Sequence, residues 1–196
     1  VGHGIQSLAI CFLFSYLNPT NERRAKAVVQ SRFPDLPVSI SSEILPQWRE
    51  YERTNTTVVD AYVKPVMSDY LHRLESGLAK RGYGGDVLIM KSNGGATKAS
   101  NAAAQPVETF LSGPAAAIVA SRHIAHQAGY NRVVSIDVGG TSFDMAMLDE
   151  SGERLTTDGE IAPTLPVKVA MVEVMTIGAG GGSIAWQDGA GGLNVG

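Results

Sequence analysis

Cysteine is almost missing from the 196 residues. Cys11 stands alone, so an internal disulfide framework is excluded and a reducing, cytoplasmic setting is expected. An excess of positive charge is missing too. Sixteen Lys and Arg face nineteen Asp and Glu, a net charge of -3, which leaves no basic stripe to neutralise a nucleic-acid backbone. Long hydrophobic runs are absent. The stretch from Leu8 to Phe14 falls short of the ~20 apolar residues that cross a bilayer, and it lacks the flanks of a signal peptide. No Gly-x-Ser-x-Gly elbow is present, and no histidine stands near Cys11 in a nucleophile arrangement. The chain begins at Val1 without a methionine and stops at Gly196 within a glycine-rich stretch, so the expectation is a piece of a longer polypeptide.

Enough apolar sequence remains for a real core, and its patterning reads as α/β. Gln6 to Ser15 is nearly continuously apolar, as a strand covered on both faces would be. Pro19 presets the turn into a helix over Glu22 to Arg32, and Val38 to Ser41 reads as a second, parallel strand. From Thr56 to Arg81, Tyr62, Val66, Tyr70, Leu74 and Leu78 recur every four residues, with Val63, Met67 and Leu71 alongside; they predict a helix packed along that stripe and kinked at Pro65. Arg49 to Arg53 reads as a solvated or interdomain charge cluster. Asp86 to Met90 predicts a short strand. Gln105 to Ala128 predicts an alanine-rich helix interrupted at Ser112-Gly113-Pro114. Arg132 to Val138 and Phe143 to Leu148 predict a hairpin, with a turn at Glu150 to Gly152 and a weaker strand over Val167 to Val174. Eight of the 22 glycines lie from Gly178 onward, which marks the tail as loop-dominated.

Three motifs carry chemistry. In the first, a buried strand delivers Asp137, followed by Gly139, Gly140, Thr141, Ser142 and then Asp144 on a second strand. Glycines let backbone N–H groups approach a phosphate, the two hydroxyls add donors, and Asp137 can hold a magnesium ion directly or through water. No lysine follows the glycines, so this is not the Walker loop. The bland alternative is a hairpin with a glycine turn. The second motif is Gly178, Gly180, Gly181, Gly182 and Ser183, which can pass close to a nucleotide, open a helix toward a phosphate, or be a flexible connection. The third, Asn93, Gly94 and Gly95 after Ser92, ends a predicted strand, where ligands of open α/β sheets collect, although a structural turn accounts for it nearly as well. His123 and His126 have helical spacing but no third ligand in view.

The segments Phe12 to Pro19, Ser41 to Arg53, Thr56 to Pro65, Met90 to Gly95, Leu111 to Ala117, Asp137 to Asp144 and Ile177 to Trp186, taken in order, resemble the hydantoinase A / 5-oxoprolinase family of actin-like ATPases. The resemblance implies a ribonuclease-H-like fold, a mixed sheet with helices, in two domains with ATP and Mg2+ held between them. It places the end of the first domain at residues 1–50 and the start of the second at 51–196, both incomplete. It also implies ATP-dependent opening of cyclic amides such as hydantoins or 5-oxoproline, by phosphoryl activation of the ring carbonyl. The motif from Asp137 to Asp144 matches the family's second phosphate motif, and Gly178 to Ser183 its glycine loop. The first phosphate motif has no counterpart here, while Phe143 and Lys91 replace residues that are frequently threonine and glutamine. Expected partners are the ring substrate and either a hydantoinase B-type subunit or a second copy. The alternatives are the ATP-using subunit of a ketone carboxylase, a sugar or acyl kinase, and a fragment without activity of its own.

Overall fold

The structure is a computed structural model that describes residues 4–195. Strand β1 (Leu8–Ile10), helix α1 (Thr20–Arg32) and strand β2 (Val38–Ile40) form a parallel β-α-β unit, as the sequence predicts. Its core is Ile10, Val38 and Ile40 against Ala25 and Val29 of α1.

The predicted first strand is far shorter than Gln6 to Ser15. After Ile10 the chain curls, with Phe14 at φ 58°, and exposes Leu13, Phe14 and Leu17. Polar anchoring overrides the apolar pattern here. Glu22, fully buried, accepts the Phe12 N–H at 2.8 Å, the Ser41 hydroxyl at 2.6 Å and the Ser42 N–H at 2.8 Å. The Ser15 hydroxyl lies 3.0 Å from that of Ser41. Burial alone would push the Glu22 carboxyl up, but the hydrogen bonds led by Ser41 outweigh it and hold it below the ordinary glutamate value. A carboxylate depressed on folding stabilises above its unfolded pKa and loses that contribution as pH falls through the folded one. Glu22→Gln, which cannot accept all three bonds, is therefore expected to cost about 2 kcal/mol at neutral pH. The gap from wild type should narrow as the pH drops below the ordinary glutamate range. Denaturant midpoints at neutral and acid pH check this, and a gap constant with pH would refute it.

After a short helix α2 (Ser41–Ile44) comes α3 (Glu50–Lys80), one 31-residue helix that continues through Pro65. It starts before the predicted Thr56, because the charge cluster is its first turn, where Glu50 and Glu52 suit the N-terminal dipole. Arg49 pairs with Glu52 at 3.3 Å, but Arg53 is neither solvated nor salt-bridged among the described residues. It is fully buried, donates to the Phe12 carbonyl at 2.8 Å and lies over the Tyr16 ring at 5.3 Å. The predicted packing stripe is corrected in its upper half, while Met67, Leu71 and Leu74 of the same pattern do pack. Tyr62 and Val66 are 80% and 74% exposed, while the upper half of α3 buries Arg53, Thr56, Thr57, Asp60 and Ala61. Asp60 is fully paired, accepting from Ser39 at 2.6 Å, from the Val107 N–H at 3.2 Å and from Lys64 at 2.9 Å, whereas Nε and Nη1 of Arg53 have no hydrogen-bond partner among the described residues. Thr56 donates to the Glu52 carbonyl and accepts from the Lys168 N–H. Farther down the helix Leu71, fully buried against Ala99 and Ala102, contributes about 2 kcal/mol of apolar burial. Helix α3 thus touches both β2, through Asp60, and the elements that follow it.

Strands β3 (Leu88–Met90) and β4 (Ala96–Lys98) form a hairpin, followed by α4 (Ala99–Ala104) and a 3-10 turn (Pro106–Thr109). Helix α5 runs from Ser112 to Gln127. Ser112-Gly113-Pro114 starts this helix rather than interrupting it, because a proline lacking N–H is tolerated in the first turn and not in the interior. The remainder is β: β5 (Val133–Val138), β6 (Phe143–Asp149), β7 (Gly152–Glu153), β8 (Leu155–Thr156), β9 (Gly159–Ala162), β10 (Leu165–Val167), β11 (Met171–Val172), β12 (Met175–Ile177), β13 (Ala185–Gln187) and β14 (Leu193–Val195). The sheet that matters here has the order β12-β6-β5, with β7 also on β6. Its inner face packs Ala146 and Leu148 on Ala115 and Ile118 of α5. Among the described residues no helix is long and apolar enough to cross a membrane.

Candidate functional site

The β5–β6 hairpin fixes the first motif. Asp137 stands opposite Asp144 and Val138 opposite Phe143, and the loop between them is closed by the Gly139 N–H donating to the Ser142 carbonyl at 2.9 Å. The strand carrying Asp137 is less covered than expected. It ends the β12-β6-β5 path, α5 lies against one face, and Val134, Ile136 and Val138 are each more than half exposed on the other.

Strand β12 runs antiparallel along the far side of β6, with Thr176 opposite Asp144 and Ile177 opposite Phe143. That register delivers the chain at Gly178 level with the hairpin loop. The glycine run then docks on it: the Gly181 N–H donates to the Gly139 carbonyl and the Gly182 N–H to the Gly140 carbonyl, both at 2.9 Å. The Gly180 N–H turns inward to the Ser183 hydroxyl at 3.0 Å, and the Ser183 N–H to the Gly180 carbonyl at 2.9 Å. A methyl group at Gly180 would stand 2.6 Å from the Gly139 oxygen and 2.7 Å from the Thr141 nitrogen. Two motifs some 40 residues apart in sequence therefore form one backbone unit. The glycine run opens no helix, because its amides are spent on the hairpin and on its own turn, and β13 follows.

What the docking leaves over is a set of donors. Among the described residues the backbone N–H groups of Gly140, Thr141 and Ser142 reach no protein acceptor, and the hydroxyls of Thr141 and Ser142 sit beside them. Unpaired amides and hydroxyls gathered on one turn match the oxygens of a phosphate. The carboxylates belong to the same surface. Thr176, Asp144 and Asp137 form one row across three strands, and the Thr176 hydroxyl donates to Asp144 Oδ1 at 2.6 Å. Asp137, Asp144 and Ser135 line a narrow cleft with Pro114 and Ala117 from the first turns of α5. Two carboxylates beside phosphate donors fit magnesium, which takes one or two carboxylates and completes its shell with phosphate oxygens and water.

The third motif lies elsewhere. Gly94, at φ 81°, has Val119 of α5, Glu153 and Val172 as neighbours, and the Asn93 side chain accepts the Gly95 N–H at 3.0 Å. Ser92 is buried and donates through both its N–H and its hydroxyl to the Glu108 carbonyl. Asn93, Gly94 and Gly95 thus build the β3–β4 turn and meet neither glycine loop. Sequence reasoning did not single out Thr176; the signal available was a hydroxyl in the strand leading directly into the glycine run.

A family model described as hydantoinase/oxoprolinase matches residues 53–196. The caprolactamase subunit alpha of Pseudomonas jessenii is 38% identical over 192 residues, spanning 98% of this chain and 27% of that protein. The acetophenone carboxylase gamma subunit of Aromatoleum aromaticum is 34% identical, spanning 96% of this chain and 26% of its own length. The crystal structure of an ATP-dependent caprolactamase from Pseudomonas jessenii superposes on 99% of this chain with a TM-score of 0.84 at 36% identity, covering 28% of that chain. The α/β architecture of mixed sheets and helices expected for an actin-like ATPase fragment is shared with that enzyme. The chain spans about a quarter of the length of these relatives.

Proposed function

The chain belongs to the hydantoinase/oxoprolinase family, and we propose that it is a section of a longer ATP-dependent enzyme that opens cyclic amide rings. The observation that carries this reading is the docking of the glycine run on the Asp137 hairpin, which leaves the amides of Gly140, Thr141 and Ser142 unspent. In this reading those amides and the Thr141 and Ser142 hydroxyls hold phosphate oxygens of ATP, while Asp137 and Asp144 hold Mg2+. ATP would supply the phosphoryl group that makes a ring carbonyl a better electrophile. The chain's own contribution is to bind and orient: rigid donors aimed in advance at developing charge stabilise a transition state without reorganisation. A hydantoinase B-type partner subunit and a cytoplasmic location are part of the same proposal; several relatives are named as subunits.

A second reading has support from the carboxylase relative: the ATP-using subunit of a ketone carboxylase. Phosphate release from Mg-ATP by the full-length protein separates the two. Release stimulated by caprolactam, hydantoins or 5-oxoproline is the expected outcome. Stimulation only by a ketone with bicarbonate would replace it with the carboxylase reading, and stimulation by none would remove both.

A further inference from the structure

We propose that Thr176 is a positioning residue: it fixes Asp144 within the acidic row and ties that orientation to the seating of the glycine loop. The proposal rests on the phosphate-site reading above. Asp137 and Asp144 stand directly opposite each other on neighbouring strands, an arrangement in which like charges repel. Among the described residues no salt bridge reaches either carboxylate. Among the described residues the single protein donor to the pair is the Thr176 hydroxyl, 2.6 Å from Asp144 Oδ1.

The position of that hydroxyl is set by backbone pairing, because Thr176 is the ladder partner of Asp144. Branching at Cβ further restricts its rotamer. With Oδ1 engaged, the direction of Asp144 relative to Asp137 is fixed before any cation arrives. Strand β12 ends one residue later and enters the loop whose amides bond to Gly139 and Gly140. Any shift of the glycine loop therefore pulls on the strand that carries the hydroxyl. Donors one step removed from a metal typically change its affinity about 10- to 100-fold when lost.

The test uses the full-length protein and a fluorescent ATP analogue, titrated with Mg2+ and also bound in EDTA. Thr176→Val keeps the branched shape and loses the donor, whereas Thr176→Ser keeps the donor. The Mg2+ concentration for half-maximal tightening should rise about 10-fold in Thr176→Val and stay near wild type in Thr176→Ser. Binding in EDTA should be unchanged in both. If Thr176→Val leaves the Mg2+ dependence unaltered while Asp144→Asn shifts it, the role of Thr176 is refuted and the site reading survives. If Asp144→Asn shifts nothing either, the site reading itself falls. Equal losses in both Thr176 variants, with binding in EDTA lost as well, would make Thr176 a packing residue and overturn the proposal.

Discussion

Gly180→Ala is expected to unseat the glycine loop, lowering stability by about 2 kcal/mol or more and nucleotide affinity by at least about 10-fold. The added methyl would lie 2.6 Å from the Gly139 oxygen, 2.7 Å from the Thr141 nitrogen and 2.8 Å from the Gly140 carbonyl carbon. All three are backbone atoms, so no side chain can swing aside. The hairpin loop is also pinned, by the pairing of Val138 with Phe143 and the bond from Gly139 to Ser142. Relief must come from moving the glycine run outward, which breaks the bonds from Gly181 and Gly182. Gly178→Ala supplies the control. A methyl there meets nothing within 4 Å and its backbone is not left-handed, so it should behave like wild type in thermal melts and nucleotide titrations. Equal behaviour of the two variants would mean that the loop is not held against the hairpin.

The hairpin from Arg132 to Leu148, the β-α-β entry and the long helix were legible because each rests on a local rule: alternation, turn residues, or helical period. The stripe of Tyr62, Val66 and Tyr70 misled, because periodicity marks an apolar face without saying what covers it. In this chain the upper half of α3 turns Arg53, Thr56, Thr57 and Asp60 inward instead, and Arg53, Thr56 and Asp60 make hydrogen bonds with residues remote in sequence. No window of sequence contains those pairs. The same holds for Phe12 to Leu17, where three acceptor contacts of Glu22 and Ser41 outrank a run of hydrophobic residues. For the candidate site, both glycine motifs were visible, but their assignment of donors was not. Which amides are left for a ligand depends on the register of β12 against β6, which decides that the run at Gly180 meets Gly139 and Gly140. Asn93, Gly94 and Gly95 carry the same glycine signature as the other two motifs. Their neighbours Val119, Glu153 and Val172 give them a turn-building role that composition alone cannot distinguish.

Asp137→Ala in the full-length protein is expected to lower ATP hydrolysis on the order of 100- to 1,000-fold while leaving stability unchanged. The two halves of that statement have separate causes. Asp137 is exposed, accepts no hydrogen bond from the described residues, and faces Asp144 across the ladder. Nothing in the fold depends on its carboxylate, and removing one of two opposed negative charges relieves repulsion worth a few tenths of a kcal/mol. A charge kept at a cost to the fold implies a use outside it, and holding a cation against phosphate is the use its neighbours support. Denaturant unfolding and phosphate release, measured on the same preparation, separate the possibilities. Lost activity with an unmoved unfolding midpoint supports the assignment. A midpoint that falls in step with activity would make Asp137 structural. Undiminished phosphate release would remove the Asp137 hairpin from the site altogether, and the docked glycine run would then be a brace for a sheet corner.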